Sequence, residues 1–253
     1  MSNPAGVVFD VDGTLADSEQ EGHRVAFNQA FQQAGLPYLW DRARYSELLR
    51  VAGGRERIEH FLVGEGASRP EAAEQAAALH RDKTRIFRDL VLAGGVPLRA
   101  GARRLVDDLR AAGLTLYVAT TGSRRWVEPL LQGHFRDDTF ALILTGTEVP
   151  TLKPAPDVYR AVLERGGHRP GDLVAIEDSH NGLRAAQGAG IATLVVLNDD
   201  SHGDFSSAEL VVTGFGPGAQ YVSGAAGADA LADGIVSVGT LAAVRDAGAS
   251  ADG

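Results

Sequence analysis

The sequence predicts an α/β protein, a doubly wound parallel sheet interrupted once by a helical insertion. Three observations predict it. Short, near-continuous apolar runs recur along the chain, as strands buried on both faces require. Segments of helical periodicity separate those runs after about residue 100. Residues from about 16 to 98 break the alternation, with helical patterns and almost no strand pattern.

The first apolar run, Gly6-Val7-Val8-Phe9-Asp10, closes on acids. Helical patterns then cover 20–35, 43–51, 55–63 and 69–92, the last rich in Ala and Glu from Pro70 to Ala78. Strands are expected at 115–120, 140–144, 172–176 and 193–197, with late or edge strands at 210–212 and 235–238. Between them, Leu105, Val106 and Leu109 share a helix face that ends before Gly113. Val158, Tyr159, Val162 and Leu163 form another between Pro156 and Gly166, and Leu183, Ala186 and Ala189 a third before Gly190. The expected domains are an α/β core of residues 1–16 and 97–253 and a helical insertion of residues 17–96. The tail from Gly214 is rich in Gly and Ala, and its last few residues are expected to be disordered.

Composition narrows the function. A chain of 253 residues buries a core without covalent staples. The absence of Cys excludes a disulfide scaffold, a thiolate metal site and a thiol nucleophile. With 33 acidic against 24 basic residues and a net charge of −9, nucleic acid is not the expected partner. The start Met1-Ser2-Asn3-Pro4 lacks the basic and apolar regions of a signal peptide, and no apolar stretch is long enough to span a membrane. A cytoplasmic monomer with no membrane partner is therefore expected. Only two of the basic residues are lysines, Lys83 and Lys153.

In open α/β sheets the reactive groups stand at the carboxyl ends of the strands. The first strand ends in Asp10-Val11-Asp12-Gly13-Thr14 and the second in Thr120-Thr121-Gly122-Ser123. Lys153-Pro154 follows the third, and the fourth ends in Glu177-Asp178. Each has an ordinary structural explanation alone: a turn, a helix N-cap, a solvated lysine. Their conjunction points to chemistry. Asp10, Asp12, Glu177 and Asp178 would repel one another unless a hard cation neutralised them, and Mg²⁺ suits oxygen ligands beside a phosphate. Asp10 could attack phosphorus as nucleophile, and Asp12 could protonate the leaving oxygen and later activate water. Gly13 would let the chain turn, while Thr120 and Lys153 would hold the phosphoryl group.

These motifs resemble the haloacid dehalogenase-like hydrolase superfamily, in its β-phosphoglucomutase-like branch. The residues that carry the resemblance are 9–15 with Asp17-Ser18-Glu19, Ala119-Thr120-Thr121, Leu152-Lys153-Pro154-Ala155-Pro156 and Ile176-Glu177-Asp178-Ser179. The resemblance implies a Rossmann-like core, with the helical insertion as a cap domain over the substrate. It implies Asp10 as nucleophile and Asp12 as acid/base. Mg²⁺ would be held by the Asp10 and Asp178 carboxylates and the Asp12 main chain, with Glu177 close by. Within the insertion, residues 22–28, Trp40-Asp41, residues 45–49 and Gly53-Gly54-Arg55-Glu56-Arg57 look like the CbbY group. That group is associated with Calvin-cycle genes and with dephosphorylation of xylulose-1,5-bisphosphate to xylulose-5-phosphate. One departure from the wider branch is an extra residue between Asp17 and His23.

A sugar bisphosphate, the expected small-molecule partner, needs a second anion site. His23 could donate to a sugar oxygen and Glu19 is also expected at the substrate, while for the anion Arg55 and Arg57 are candidates in the insertion. So is the run Thr121-Gly122-Ser123-Arg124-Arg125, where a helix start offers backbone N–H groups and Arg a bidentate clamp. A phosphomutase or a broad-specificity phosphatase would use the same residues. A phosphonatase would need a Schiff-base lysine in the cap, and Lys83 is expected in an ordinary charged helix pattern, Arg81-Asp82-Lys83. A receiver-like regulatory module would have no use for the insertion or for Asp12.

Overall fold

The computed structural model describes residues 3–51 and 53–251. The apolar runs form a seven-stranded sheet: β1 Gly6–Phe9, β2 Thr115–Ala119, β3 Leu142–Leu144, β4 Leu173–Glu177, β5 Ala192–Val196, β6 Leu210–Val212 and β7 Tyr221–Ser223. Their spatial order is β3-β2-β1-β4-β5-β6-β7. All neighbours are parallel except β6 and β7. β1 and β4 are buried at every position, which is why they read as unbroken apolar runs. The order reverses direction at β1, so the ends of β1, β2 and β4 lie side by side at a topological switch point.

Residues Asp17–Pro97 form one compact unit. It opens with a five-residue π turn, Glu19–His23, closed by the bond from the Arg24 N–H to the Glu19 carbonyl. There follow α1 Arg24–Gln33, α2 Arg42–Leu48, α3 Gly54–Gly64 and α4 Arg69–Leu92. α4 begins at a capping box, Ser68 with Glu71, and has Pro in its first turn. An aromatic cluster fills the centre. Trp40 lies 4.8 Å from Phe27, 4.9 Å from Phe31 and 5.2 Å from Phe61, measured between ring centroids. The Asn28 amide pins its backbone, donating to the Trp40 carbonyl and accepting from its N–H, both at 2.8 Å.

The second unit takes in the chain through Ala16 and from Leu98 onward. Its helices are α5 Ala102–Ala111, α6 Arg124–His134, α7 Asp157–Gly166, α8 His180–Gly188 and α9 Val238–Ala251. Leu105, Val106 and Leu109 are fully buried on α5, as are Tyr159 and Val162 on α7. One expectation fails in the Gly- and Ala-rich tail. Residues 235–238 are not a strand. The Val236 N–H bonds Phe215, its carbonyl accepts from Arg104, and α9 starts two residues later, so no ladder is open to it. The edge strand is β7 instead, antiparallel to β6. The tail is structured through α9, whose Leu241 and Val244 are fully buried, each contributing about 1.5–3 kcal/mol. Of the last few residues expected to be disordered, 252–253 lie outside the described residues. No described helix is long and apolar enough to cross a membrane.

Candidate active site

Asp10 directly follows β1 and is 6% exposed. Lys153 joins it to β4: its Nζ donates to Asp10 Oδ1 at 2.7 Å, to Glu177 Oε1 at 2.5 Å and to the Ala119 carbonyl at 2.8 Å. An ammonium has three donors, and all three are used. Three strands, β1, β2 and β4, are thus tied by one buried cation. Carboxylate oxygens of Asp10, Glu177 and Asp178 lie within 4.8 Å of one another. Three carboxylates against one ammonium leave a formal charge of −2, which a divalent cation would balance. The donor set is all oxygen, and the buried Glu177 Oε2 has no hydrogen-bond partner among the described residues. These residues therefore fit a hard divalent cation. Asp12 is half-buried and its carboxylate lies outside this trio.

The electrostatics follow from burial. Burial pushes the Asp10 carboxyl up, against the pull of Lys153, and Glu177 and Asp178 add to the rise. Burial pulls the Lys153 ammonium down, but Asp10 and Glu177 more than offset this and hold it well above the ordinary lysine range. Burial, then Glu177, pushes the Asp178 carboxyl up to about 7, with Asn198, Arg99 and Lys153 acting the other way.

Thr120, just after β2, is buried, and its Oγ1 accepts from the Gly122 N–H at 3.1 Å. Its hydroxyl proton is left to donate. The Gly122 amide, expected to face an anion, is instead committed within the loop. Gly122 also has no room for a side chain, since a Cβ would come within 2.4 Å of the Trp126 ring. Ser123 caps α6, accepting from the Arg125 N–H, and Thr121 is exposed. Arg124 is not a free clamp. Its Nε donates to Glu148 at 2.8 Å and its Nη2 to the Ile143 carbonyl at 2.6 Å. Glu148, bonded by Arg124, Thr145 and Thr147, is held at about 2 despite the upward push of burial.

The remaining expected residues lie in the helical unit. Glu19 accepts from the Tyr45 hydroxyl at 2.5 Å. Arg55 is exposed on α3, whereas Arg57 is 8% exposed and donates to the Leu48 carbonyl and the Tyr45 hydroxyl. His23 lies 3.8 Å from the Phe87 ring and 3.0 Å from Lys83 Nζ. Burial first, then Lys83 and Arg57, hold its imidazole well below the usual range, so it is neutral at pH 7. Lys83 is not on a charged surface as expected. It is 7% exposed, with its Nζ 4.6 Å from the Phe27 ring centroid. The reason is periodicity: Leu79, Lys83, Ile86 and Phe87 share the buried stripe of α4, which the local triplet of charges conceals.

Three side chains of the core site escaped the sequence reading, Tyr159, Asn198 and Arg99, and Thr14, read at the end of the first strand, was given no role. Tyr159, read only as a core residue of α7, donates its hydroxyl to Glu177 Oε1. Thr14 donates to Asp178 Oδ1 at 3.2 Å, and Asn198 to Asp178 Oδ2 at 2.8 Å. Arg99 donates to the Gly13 carbonyl at 2.7 Å. Asn198 had a usable signal, because it stands just beyond the carboxyl end of β5. Tyr159 and Arg99 had none.

Comparison with known proteins places this geometry. A profile of haloacid dehalogenase-like hydrolases matches residues 4–190. The plasmid-encoded protein CbbY of Cupriavidus necator is 46% identical over 231 residues, covering 87% of this chain and 91% of that protein. Two crystal structures of CbbY from Rhodobacter sphaeroides superpose with a TM-score of 0.68, over 83% of this chain and 94% of theirs. One, at 40% identity, is a complex with phosphate. The other, at 39%, is a substituted form in complex with xylulose-1,5-bisphosphate.

Proposed function

The chain belongs to the haloacid dehalogenase-like hydrolases, and on that footing we propose that it is a Mg²⁺-dependent sugar-phosphate phosphatase, converting xylulose-1,5-bisphosphate to xylulose-5-phosphate. The observation that carries the reading is the buried Lys153 ammonium joining Asp10 to Glu177, in a chain 39% identical to a protein crystallised with that bisphosphate.

Asp10 attacks phosphorus in line, forming an aspartyl-phosphate as the bond to the sugar oxygen breaks. Asp12, protonated, gives its proton to that leaving oxygen. As a carboxylate it then takes a proton from water, which attacks the same phosphorus and releases phosphate and free Asp10. Because every Lys153 donor is engaged, the N–H now on Asp10 Oδ1 passes to a phosphoryl oxygen as the ester forms. The Thr120 hydroxyl offers a second donor. Mg²⁺, held by Asp10 and Asp178 carboxylates and the Asp12 main chain with Glu177 close by, would neutralise charge on the phosphoryl oxygens. In the core unit Thr121 and Ser123 are candidates for substrate contact, and in the helical unit Glu19, His23 and Arg55 are.

The test is phosphate release, with Mg²⁺, from xylulose-1,5-bisphosphate, ribulose-1,5-bisphosphate and β-glucose-1-phosphate. Strong preference for the first, abolished in Asp10→Asn, is expected. Weak activity spread across the panel would overturn the substrate assignment. Glucose-6-phosphate formed without phosphate release would make the protein a mutase.

A pH dependence follows from Asp178. Its folded value of about 7 lies above its ordinary 3.8, so the metal-free fold holds a proton there that the unfolded chain has lost. That contribution to stability is present at acid pH and is lost as pH rises towards 7. A cation must displace the proton, so Mg²⁺ affinity is expected to fall by about tenfold per pH unit below 7. Calorimetric titration at acid, neutral and mildly alkaline pH measures this, and a flat profile would contradict it.

A further inference from the structure

We propose that Arg99 and Asn198 are positioning residues that clamp the Gly13 carbonyl and the Asp178 carboxylate to the end of β5, and thereby set metal affinity. The inference rests on the Mg²⁺ reading above. The Gly13 carbonyl accepts from both residues, from Arg99 Nη1 at 2.7 Å and from Asn198 Nδ2 at 3.1 Å. The other Asn198 amide hydrogen goes to Asp178 Oδ2 at 2.8 Å, and its Oδ1 accepts from the Asp200 N–H at 2.8 Å. Every polar atom of that amide is used, and its orientation is fixed by its partners.

Arg99 extends the clamp to the strand. Its guanidinium also donates to the Val196 carbonyl at 3.2 Å and the Leu197 carbonyl at 2.7 Å, while its N–H bonds the Leu15 carbonyl at 2.9 Å. One planar cation therefore holds the loop after β1 and the end of β5 in a single register. Ser201 completes the arrangement, donating to the Asp178 carbonyl at 2.8 Å and accepting from the Asn198 N–H at 3.0 Å. With Thr14 on Oδ1 and Asn198 on Oδ2, both Asp178 oxygens are tethered. The tolerance is small, since a Cβ on Gly13 would fall 2.1 Å from Asp178 Oδ2. A shift of either loop moves the carboxylate.

Partners of this kind tune metal affinity by roughly 10–100-fold. The test measures Mn²⁺ binding by electron paramagnetic resonance and Mg²⁺ binding by calorimetry, on the whole chain, in Asn198→Ala and Arg99→Lys. Lysine keeps the charge but cannot reach three carbonyls. Both variants are expected to bind Mn²⁺ about tenfold or more weakly, with kcat at fixed Mg²⁺ reduced, KM for the sugar phosphate unchanged and activity recovered at high Mg²⁺. Val244→Ala, in the buried face of α9, supplies a destabilised control whose Mn²⁺ affinity should not move. If Asn198→Ala does not fold, Arg99→Lys carries the test. Mn²⁺ affinity within twofold of the unsubstituted chain in a folded variant would overturn the clamp, as would no Mn²⁺ binding by the unsubstituted chain. Phosphatase activity with unchanged Mn²⁺ affinity in the variants sinks the clamp alone. Weakened Mn²⁺ binding in a chain that releases no phosphate sinks the functional reading alone.

Discussion

Lys153→Met is expected to abolish measurable turnover and to destabilise the fold by about 3–5 kcal/mol, the range for breaking a buried ion pair from one side. The lysine side chain is 4% exposed and lies between Asp10 and Glu177, themselves 8% and 0% exposed as side chains. Methionine matches its length and fills its volume, so the loss is electrostatic. Two carboxylates then face each other without a cation, and the phosphoryl group loses its donor, which alone costs about 10²–10³ in rate. Sign and pH separate this from a packing defect. Burial already pushes the Asp10 carboxyl up, and without the pull of Lys153 it protonates still more readily than in the unfolded chain, so the variant's deficit should grow as pH rises and shrink in acid. Thermal melts of both proteins across that range measure it. A deficit independent of pH would mean that Lys153 acts through packing.

Gly13→Ala is expected to lower activity by about 100-fold or more, because it displaces the Asp178 carboxylate that we assign to the metal. Gly13 has φ +76°, a left-handed conformation costing other residues about 1–2 kcal/mol. The larger effect is steric, for the new methyl would stand where Asp178 Oδ2 now lies. The carboxylate must swing out, abandoning Asn198 and Thr14. Mn²⁺ binding should fall with activity, and the melting temperature should drop by the backbone cost together with the loss of the Asn198 and Thr14 bonds. Activity within threefold of the unsubstituted protein would show that Asp178 repositions freely.

Much of the site was legible because its polar residues interrupt apolar runs. Asp10, Thr120, Glu177 and Asp178 each end a strand whose burial is written in Val, Ile, Leu and Ala. Lys153 stood out as one of two lysines. What remained hidden depends on contacts distant in sequence. The Tyr159 hydroxyl meets Glu177 across 18 residues, and Asn198 meets Gly13 across 185. Neither spacing leaves a trace in local periodicity. The β7 edge was missed because Tyr221-Val222-Ser223 is too short to alternate, while 235–238 carries three β-branched apolar residues yet has its backbone groups engaged elsewhere. Lys83 was misplaced for the opposite reason: its neighbours in sequence are charged, but its neighbours one helical turn away are buried.

The π turn at Glu19–His23 holds one residue more than an α turn, and the extra residue that the resemblance implies between Asp17 and His23 falls within it. In an unbroken α-helix one added residue rotates everything on one side of it by about 100°. Here the added residue is taken up within a single widened turn. Upstream, Glu19 keeps its bond to Tyr45, and downstream Phe27 and Phe31 keep their places around Trp40. Chain length at this point is therefore decoupled from which side of α1 faces the core. Deleting one residue there would change the type of one turn and leave the aromatic cluster in phase, so this is where the helical unit can gain or lose a residue without being rebuilt.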